Sequence, residues 1–163
     1  MKVLVIGAMG HIGSYLVDQL IERKHEVYAI TRGNRKPYFD SDAWKKVKFI
    51  RMSREELCES SLLDELKPDA ICDLVSFGLD EVKKLVEKIN YDVFYLQIGS
   101  IWTYENKLYV PVDEKHPKNS VGKYGKDKGL IEDYLFKLVK ERKLRATVIH
   151  PGHISGKYWQ PVN

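Results

Sequence analysis

Short apolar runs rich in β-branched residues alternate along this chain with longer amphipathic stretches. This alternation is typical of β-α-β units that build a parallel sheet. Several runs are apolar at consecutive positions, which indicates strands covered by helices on both faces. We therefore predict an α/β domain with a doubly wound parallel sheet of about six strands. The predicted strands are Lys2–Ile6, Glu26–Thr31, Val47–Arg51, Ala70–Val75, Val93–Gly99 and Ala146–His150. The predicted helices are His11–Arg23, Arg54–Leu66, Leu79–Ile89 and Val121–Arg142; in the last, Leu130, Tyr134 and Leu138 are expected to face the core, with Ile131 and Leu135 as further candidates.

Composition excludes several other classes of protein. The 163 residues, 44% of them hydrophobic, suffice for one buried core. No apolar run approaches the ~20 residues that a membrane span needs, and no secretory signal precedes the first strand. Cys58 and Cys72 lack partner spacing and are expected as reduced thiols, and His116, His150 and His153 lack metal-ligand spacing. We expect a cytoplasmic protein without a metal site or membrane contact. Its net charge of +4, mixed along the chain, suits anionic ligands without indicating nucleic acid.

Three glycines follow the first predicted strand at a spacing of three residues: Gly7, Gly10 and Gly13. Gly7 lets the chain turn sharply out of the strand, and Gly10 lets a diphosphate approach the backbone. Gly13 allows close packing of the helix on the strand. The N–H groups and the dipole at the helix N-terminus then favour an anion. This pattern predicts a dinucleotide-binding turn; the alternative is a tight turn without a ligand.

The end of the second strand bears on which dinucleotide binds. An acidic residue there would bind the ribose 2′-hydroxyl of NAD, whereas an arginine accommodates the 2′-phosphate of NADP. The segment after Ile30 carries Thr31, Arg32 and Arg35 and no carboxylate. This favours NADP, with NAD as the second candidate. The alternative is that both arginines are solvated loop charges.

Tyr124 and Lys128 lie four positions apart and share one face of the longest predicted helix. A neighbouring ammonium stabilises a phenolate, so such a tyrosine can act as an acid or base near neutral pH. Ser100 follows the fifth predicted strand, and ligands bind at the carboxyl ends of strands in open parallel sheets. Its hydroxyl can donate a hydrogen bond to a substrate oxygen as charge develops there. The alternative for Ser100 is a polar turn residue.

The motifs, in the order in which they occur along the chain, resemble those of the extended short-chain dehydrogenase/reductase family, in its NAD(P)-dependent epimerase/dehydratase branch. After the glycine turn, residues 98–104 (Ile-Gly-Ser-Ile-Trp-Thr-Tyr) are similar to the family's Ser-Ser-x-x-Val-Tyr segment. Tyr124 and Lys128 match its Tyr-x-x-x-Lys pair, and Glu132 stands where the family often has an acid. Residues 150–156 resemble its Arg-Pro-x-x-Val-Tyr-Gly segment. The resemblance covers essentially the whole chain and implies a Rossmann-type fold.

The resemblance implies hydride transfer between a nicotinamide cofactor and a small molecule, a nucleotide sugar or a related carbonyl or hydroxyl compound. It makes Tyr124 the general acid/base, Lys128 the partner that holds the nicotinamide ribose, and Ser100 the residue that orients the reacting oxygen. It also implies a homodimer through helix 121–142. The expected cofactor-binding residues are Gly7, Met9, Gly10, His11, Ile12, Gly13, Thr31, Arg32, Arg35, Val75, Ser76, Lys128 and Pro151.

The chain also departs from the family pattern. Gly99 replaces the first serine of the strand-end segment, His150 stands where an arginine is usual, and Met52-Ser53 lacks the usual adenine-contacting aspartate. The sequence does not include the family's C-terminal substrate-binding portion, so we expect residues 1–163 to be the NAD(P)-binding N-terminal part of a longer enzyme; the alternative is a naturally short chain. These departures keep open a second hypothesis, a non-catalytic dinucleotide-sensing or RNA-associated protein on the same fold. The basic stretches of this chain are more typical of solvated faces than of nucleic-acid-binding patches.

Overall fold

A computed structural model describes residues 1–104 and 109–158 of the protein. Six parallel strands form one sheet in the order β3-β2-β1-β4-β5-β6, which confirms the predicted fold class. The strands are β1 (Lys2–Ile6), β2 (Glu26–Thr31), β3 (Lys48–Arg51), β4 (Ala70–Asp73), β5 (Phe94–Ile98) and β6 (Arg145–Ile149). The helices are α1 (His11–Glu22), α2 (Arg54–Glu59), α3 (Leu62–Leu66), α4 (Leu79–Val86) and α5 (Lys123–Lys140), with 3-10 turns at Asp42–Lys46 and Ile101–Tyr104; we call the latter the β5 turn.

Apolar side chains are buried on both faces of the sheet. In β1, Val3 and Val5 pack in a cluster with Val17 of α1, whereas Leu4 packs in a second cluster with Ile131 of α5. Alternate side chains of a strand point to opposite faces, so the unbroken apolar run of β1 fits a strand covered on both sides.

The strand order reverses between β1 and β4, which are neighbours at the centre of the sheet. At such a switch point the connections leave in opposite directions, and a crevice opens outside the carboxyl ends of the strands. Gly7 and Leu74 follow the two strands at this edge, where the Leu74 N–H donates to the Ile6 carbonyl at 3.1 Å. The fold therefore exposes one polar edge at which the predicted site residues gather.

The helix predicted over Arg54–Leu66 is in fact two helices, α2 and α3. The Ser60 hydroxyl donates to the Leu57 carbonyl and accepts from the Leu62 N–H, so it competes with the helical backbone for partners. Strand β4 also ends at Asp73 rather than Val75, and α5 is shorter than predicted.

Candidate active site

An open groove of about 450 Å³ runs along the carboxyl ends of the central strands. It includes seven of the predicted cofactor-binding residues: Gly7, Met9, Gly10, Thr31, Arg32, Arg35 and Val75. Residues outside the predicted cofactor-binding set complete the lining: Ile6, Ile30, Asn34, Met52, Ser53, Arg54, Glu55, Phe77 and Glu81.

Close contacts leave no room for a side chain at two glycines of the turn, Gly7 and Gly13. Gly7 has φ +91°, and a Cβ there would lie 2.6 Å from Cγ1 of Val75. A Cβ at Gly13 would lie 2.3 Å from the Gly7 carbonyl oxygen. At Gly10, by contrast, a Cβ would meet only that same oxygen at 3.4 Å, so the space above Gly10 is open. No acidic residue lies in the first turn of α1, and no side chain caps its N-terminus, so the turn fits the diphosphate of a dinucleotide.

The other predicted cofactor-binding residues lie beside or behind this lining. His11 and Ile12 are half-buried in the first turn of α1, and His11 packs on Tyr38 with ring centres 5.0 Å apart. Ser76 is fully buried, and its hydroxyl accepts a hydrogen bond from Gln97 at 2.7 Å. The Pro151 carbonyl accepts from the Ile101 N–H at 3.3 Å. Contacts of these residues with a cofactor remain a prediction.

The end of β2 brings both signs of charge into the groove. Arg32 and Arg35 are exposed there, as the sequence suggested. Glu55 of α2 lines the same groove. Its own backbone N–H and the Ser53 hydroxyl hold the pKa of Glu55 below its ordinary value, with smaller contributions from the charges of Arg54 and then Arg32. The sequence missed Glu55 because it follows β3 and reaches the end of β2 only through the fold.

Lys128 is fixed by the backbone of the loop after β4 and of the end of β5. Its side chain is buried, and Nζ donates hydrogen bonds to the carbonyl oxygens of Ser76 and Ile98, each at 2.7 Å. Burial lowers the pKa of Lys128, and the negative charge of Asp73 opposes that effect. Nζ lies 5.8 Å from the ring centre of Tyr124, which is 44% exposed. A fixed ammonium therefore lies beside a solvent-accessible phenol.

Two glycines allow α5 to approach the β5 turn. A Cβ at Gly125 would lie 2.2 Å from the Trp102 carbonyl oxygen, and one at Gly129 would lie 3.3 Å from Thr103. The Ser100 side chain, 4% exposed, begins this turn, and its Oγ accepts from the Trp102 N–H at 3.3 Å. Because α5 lies so close, Tyr124 and Lys128 are brought to the end of β5 that carries Ser100.

Behind the groove lies an ion pair that the sequence did not reveal. Asp73, at the end of β4, is fully buried and accepts a hydrogen bond from the Tyr95 hydroxyl at 2.6 Å. Arg54, at the start of α2, donates to the same carboxylate and lines the groove. Arg54 thus stands in the segment after β3, where the sequence lacks the family's aspartate, and it links that segment to β4.

Within the described ranges, no group of three or more His, Cys, Asp or Glu side chains is placed to hold a metal ion. In the same residues, no helix is long and apolar enough to cross a membrane. Cys58 and Cys72 are free and buried. Burial raises the pKa of both thiols, that of Cys72 to about 11.

Solved structures with the same fold include several epimerases. The UDP-glucose 4-epimerase of Thermotoga maritima, solved with UDP-glucose, superposes with a TM-score of 0.76 at 24% identity, covering 92% of this chain and 55% of that chain. The UDP-glucuronic acid 4-epimerase of Bacillus cereus, solved with NAD, gives a TM-score of 0.78 at 19% identity, covering 99% and 59%. At these identities the likeness shows the fold alone.

The sequence itself matches known proteins over most of its length. The UDP-glucose 4-epimerase of Lactobacillus helveticus is 28% identical, with 96% of this chain and 52% of that protein covered. The chain spans about half the length of the curated relatives it matches. Residues 3–84, half of the chain, match the family described as the NAD dependent epimerase/dehydratase family. With the glycine turn and the parallel sheet described above, this match shows that the chain belongs to the NAD dependent epimerase/dehydratase family.

Proposed function

We propose that this protein carries out NAD(P)-dependent epimerase-type chemistry on a nucleotide sugar. The observation that supports this most is the buried ammonium of Lys128 beside the accessible phenol of Tyr124, at the strand end that carries Ser100. The groove with the open space above Gly10 adjoins this cluster through Phe77, whose ring centre is 5.7 Å from the Lys128 ammonium.

Each residue of the cluster has a role suited to its surroundings. When bound, a nicotinamide dinucleotide supplies reversible acceptance of a hydride from the substrate carbon. Tyr124 takes the proton of the substrate hydroxyl at its phenolic oxygen and returns it in the reverse step. Ser100 donates a hydrogen bond to the reacting oxygen. Lys128, anchored on two carbonyls, holds a positive charge near the phenolate and orients the ribose hydroxyls.

The relatives support a nucleotide sugar as the substrate class. The Lactobacillus helveticus relative is a UDP-glucose 4-epimerase, and the Thermotoga maritima structure contains UDP-glucose. UDP-glucose is therefore the first substrate to test. We propose that residues 1–163 form the NAD(P)-binding part of a longer enzyme, because the matched relatives are about twice as long.

The test of the chemistry is the variant Y124F, made in the longer enzyme of which residues 1–163 are proposed to be a part. We expect it to abolish turnover of UDP-glucose while NAD(P)H binding, followed by fluorescence, stays within about twofold of wild type, since only the proton-transferring oxygen is removed. The matched control is Y134F, which removes a hydroxyl from the same helix on its core side. A Y124F variant that retains the wild-type rate would disprove the role of Tyr124.

For the cofactor we propose NADP, with NAD as the second candidate. Arg32 and Arg35 support NADP because they place two guanidinium groups at the end of β2. Glu55 in the same groove favours NAD, since a carboxylate can accept from ribose hydroxyls, and the Bacillus cereus structure holds NAD.

Titration with NADPH and NADH separates the two cofactors. We expect R32A to weaken NADPH binding by about tenfold, the cost of one lost charge-assisted contact, and to leave NADH binding unchanged. The control is R23A, an exposed arginine at the other end of α1. Equal losses for both cofactors, or none, would rule out Arg32 as the 2′-phosphate contact.

A non-catalytic dinucleotide-sensing protein is the second candidate function. It is favoured by the two hydrogen bonds that occupy Lys128, because they give this residue a structural role without any chemistry. Cofactor binding by the wild type without turnover of any UDP-sugar would support this alternative.

We also propose that two copies associate through α5. Leu130 is 51% exposed and Phe136 is partly exposed on the outer side of this helix, which leaves apolar surface uncovered. Sedimentation of the wild type and of L130D tests the association. A monomeric wild type would refute it.

A further inference from the structure

A histidine side chain contacts the backbone of Ser100. His150 directly follows β6, and its Nδ1 lies 3.0 Å from the carbonyl oxygen of Ser100. The other ring nitrogen, Nε2, forms an ion-pair contact of 3.3 Å with Oε2 of Glu132 on α5. The side chains of His150 and Glu132 are 16% and 4% exposed, so water has little access to these contacts. The chain of contacts joins α5 to the residue that carries the candidate hydroxyl.

Both ring nitrogens of His150 therefore face acceptor oxygens. A neutral imidazole has one N–H, so it would turn a lone pair toward either the carbonyl or the carboxylate. The imidazolium presents an N–H to each of them. The interaction with Glu132 raises the pKa of His150; burial opposes this, and the hydrogen bond to the Ser100 carbonyl adds to it. The protonated ring is thus the form that fits its surroundings.

Gly99 makes room for this imidazole. A Cβ at position 99 would lie 3.1 Å from both Cε1 and Nδ1 of His150, and 2.8 Å from Cγ1 of Val148. The family pattern has a serine in place of Gly99 and an arginine in place of His150. The two departures are therefore linked sterically, because any side chain at position 99 would push the ring away from the Ser100 carbonyl.

The backbone around Ser100 is also held on both sides. The Gly99 N–H donates to the Ile149 carbonyl at 2.8 Å, and the Ile101 N–H donates to the Pro151 carbonyl at 3.3 Å. His150 lies between these two acceptors in the chain. The Ser100 carbonyl accepts from the Thr103 N–H at 3.2 Å, and His150 adds a second contact to the same oxygen. The backbone of Ser100, which sets the direction in which its side chain leaves Cα, is therefore held by the β5 turn and by His150 together.

We propose that His150, fixed by Glu132, is a positioning residue that sets the orientation of Ser100. The proposal rests on the proposed function, in which Ser100 orients the reacting oxygen. Deprotonation of His150 would remove one of its two N–H contacts, either the one to the Ser100 carbonyl or the one to Glu132, so the orientation of Ser100 should depend on pH. The charged and titratable groups that face this site are Tyr104 of the β5 turn, Asp113, Glu114, His116 and Lys118 of the segment before α5, and Glu132 and Asp133 of α5.

The structural test is an NMR titration of the 163-residue chain. We expect the carbonyl carbon of Ser100 to shift with the same midpoint as the His150 ring, above the value of free histidine. E132Q should lower that midpoint, and H150Q should remove the shift. The control is H153Q, an exposed histidine in the same segment, which should change neither. A Ser100 carbonyl that stays constant while His150 titrates would overturn the proposal.

The catalytic test uses the longer enzyme of which residues 1–163 are proposed to be a part, as the wild type and three variants, with UDP-glucose. We expect H150Q to lower kcat about tenfold with KM within about twofold, because misplacing a group costs mainly the chemical step. For the wild type we expect kcat to decline at alkaline pH, as His150 loses its proton. H150R keeps a charge and several N–H donors, so it should restore kcat and remove that decline. H153Q should behave as the wild type.

An H150Q variant with the wild-type kcat and pH profile would overturn the positioning role. A wild type without turnover would instead refute the proposed function. In that case the carbonyl titration alone decides whether His150 positions Ser100, so the two failures are distinguishable.

Discussion

The two halves of the polar edge are built differently. On the β1–β2 side, the groove is formed by backbone at the glycine turn and by exposed side chains such as Arg32 and Arg35. On the β4–β5–α5 side, buried polar groups such as Asp73 and Lys128 are already bonded to partners within the protein. The first half is shaped to accept a ligand, whereas the second is organised before any ligand arrives.

This difference predicts where substitutions will be tolerated. Substituting an exposed side chain in the groove should change the free energy of unfolding little, because water replaces the partners of that side chain. Substituting a buried polar side chain near α5 leaves its partner, a charge or a hydrogen-bond donor, unpaired. This lowers the free energy of unfolding. Three experiments test this contrast, beginning with the largest expected effect.

The largest effect is expected from D73N. The substitution leaves Arg54 as a buried charge without its counterion, and we expect a loss of about 3–5 kcal/mol in the free energy of unfolding. The control is D92N, which breaks another aspartate–arginine pair whose aspartate is 79% exposed and whose loss should cost under about 1 kcal/mol. Urea unfolding of both variants measures the difference. Equal losses would show that burial does not set the cost of breaking such an ion pair.

The second experiment compares two glycines of the same turn. In G13A the new Cβ would lie 2.3 Å from the Gly7 carbonyl oxygen, so we expect about 2–3 kcal/mol of destabilisation. In G10A the Cβ meets open space, so the free energy of unfolding should hardly change while NAD(P)H binding weakens. Thermal unfolding and fluorescence titration together check both variants. If G10A bound the dinucleotide like the wild type, the turn would not be the diphosphate site.

The smallest effect concerns pH. The pKa of His150 is raised in the folded protein, so this residue adds stability that is complete below its unfolded pKa of about 6.5 and is lost as the pH rises through the folded value. The loss should be of the order of 1 kcal/mol, the net value of one hydrogen bond. Urea unfolding across the pH range, for the wild type and H150Q, measures it as the difference between the two curves. A difference that grows with rising pH would have the wrong sign.

Features that depend on neighbours in the sequence could be predicted. The strands follow from local apolar runs, the glycine turn from its spacing of three, and the shared face of Tyr124 and Lys128 from helical geometry. The break at Ser60 was missed because the apolar pattern continues through it, while the serine hydroxyl takes backbone partners. Leu130 was expected to face the core and is instead exposed.

Features that depend on distant residues could not be predicted. Arg54 meets Asp73 across 19 positions, and Lys128 meets the Ser76 carbonyl across 52. Ile131 and Leu135, the further core candidates of α5, are fully buried, whereas the exposure of Leu130 depends on how α5 packs against the β5 turn at Gly125. Each pairing needs the completed sheet to bring its members together.

The hydrogen bonds from Lys128 to two backbone carbonyls also affect how the protein unfolds locally. They join α5 to the loop after β4 and to the end of β5, so α5 cannot detach without freeing both strand ends. Segments tied in this way exchange their amide hydrogens as one cooperative unit. The exposed residues 32–36 after β2 have no such tie to α5, so their amides should exchange earlier and separately.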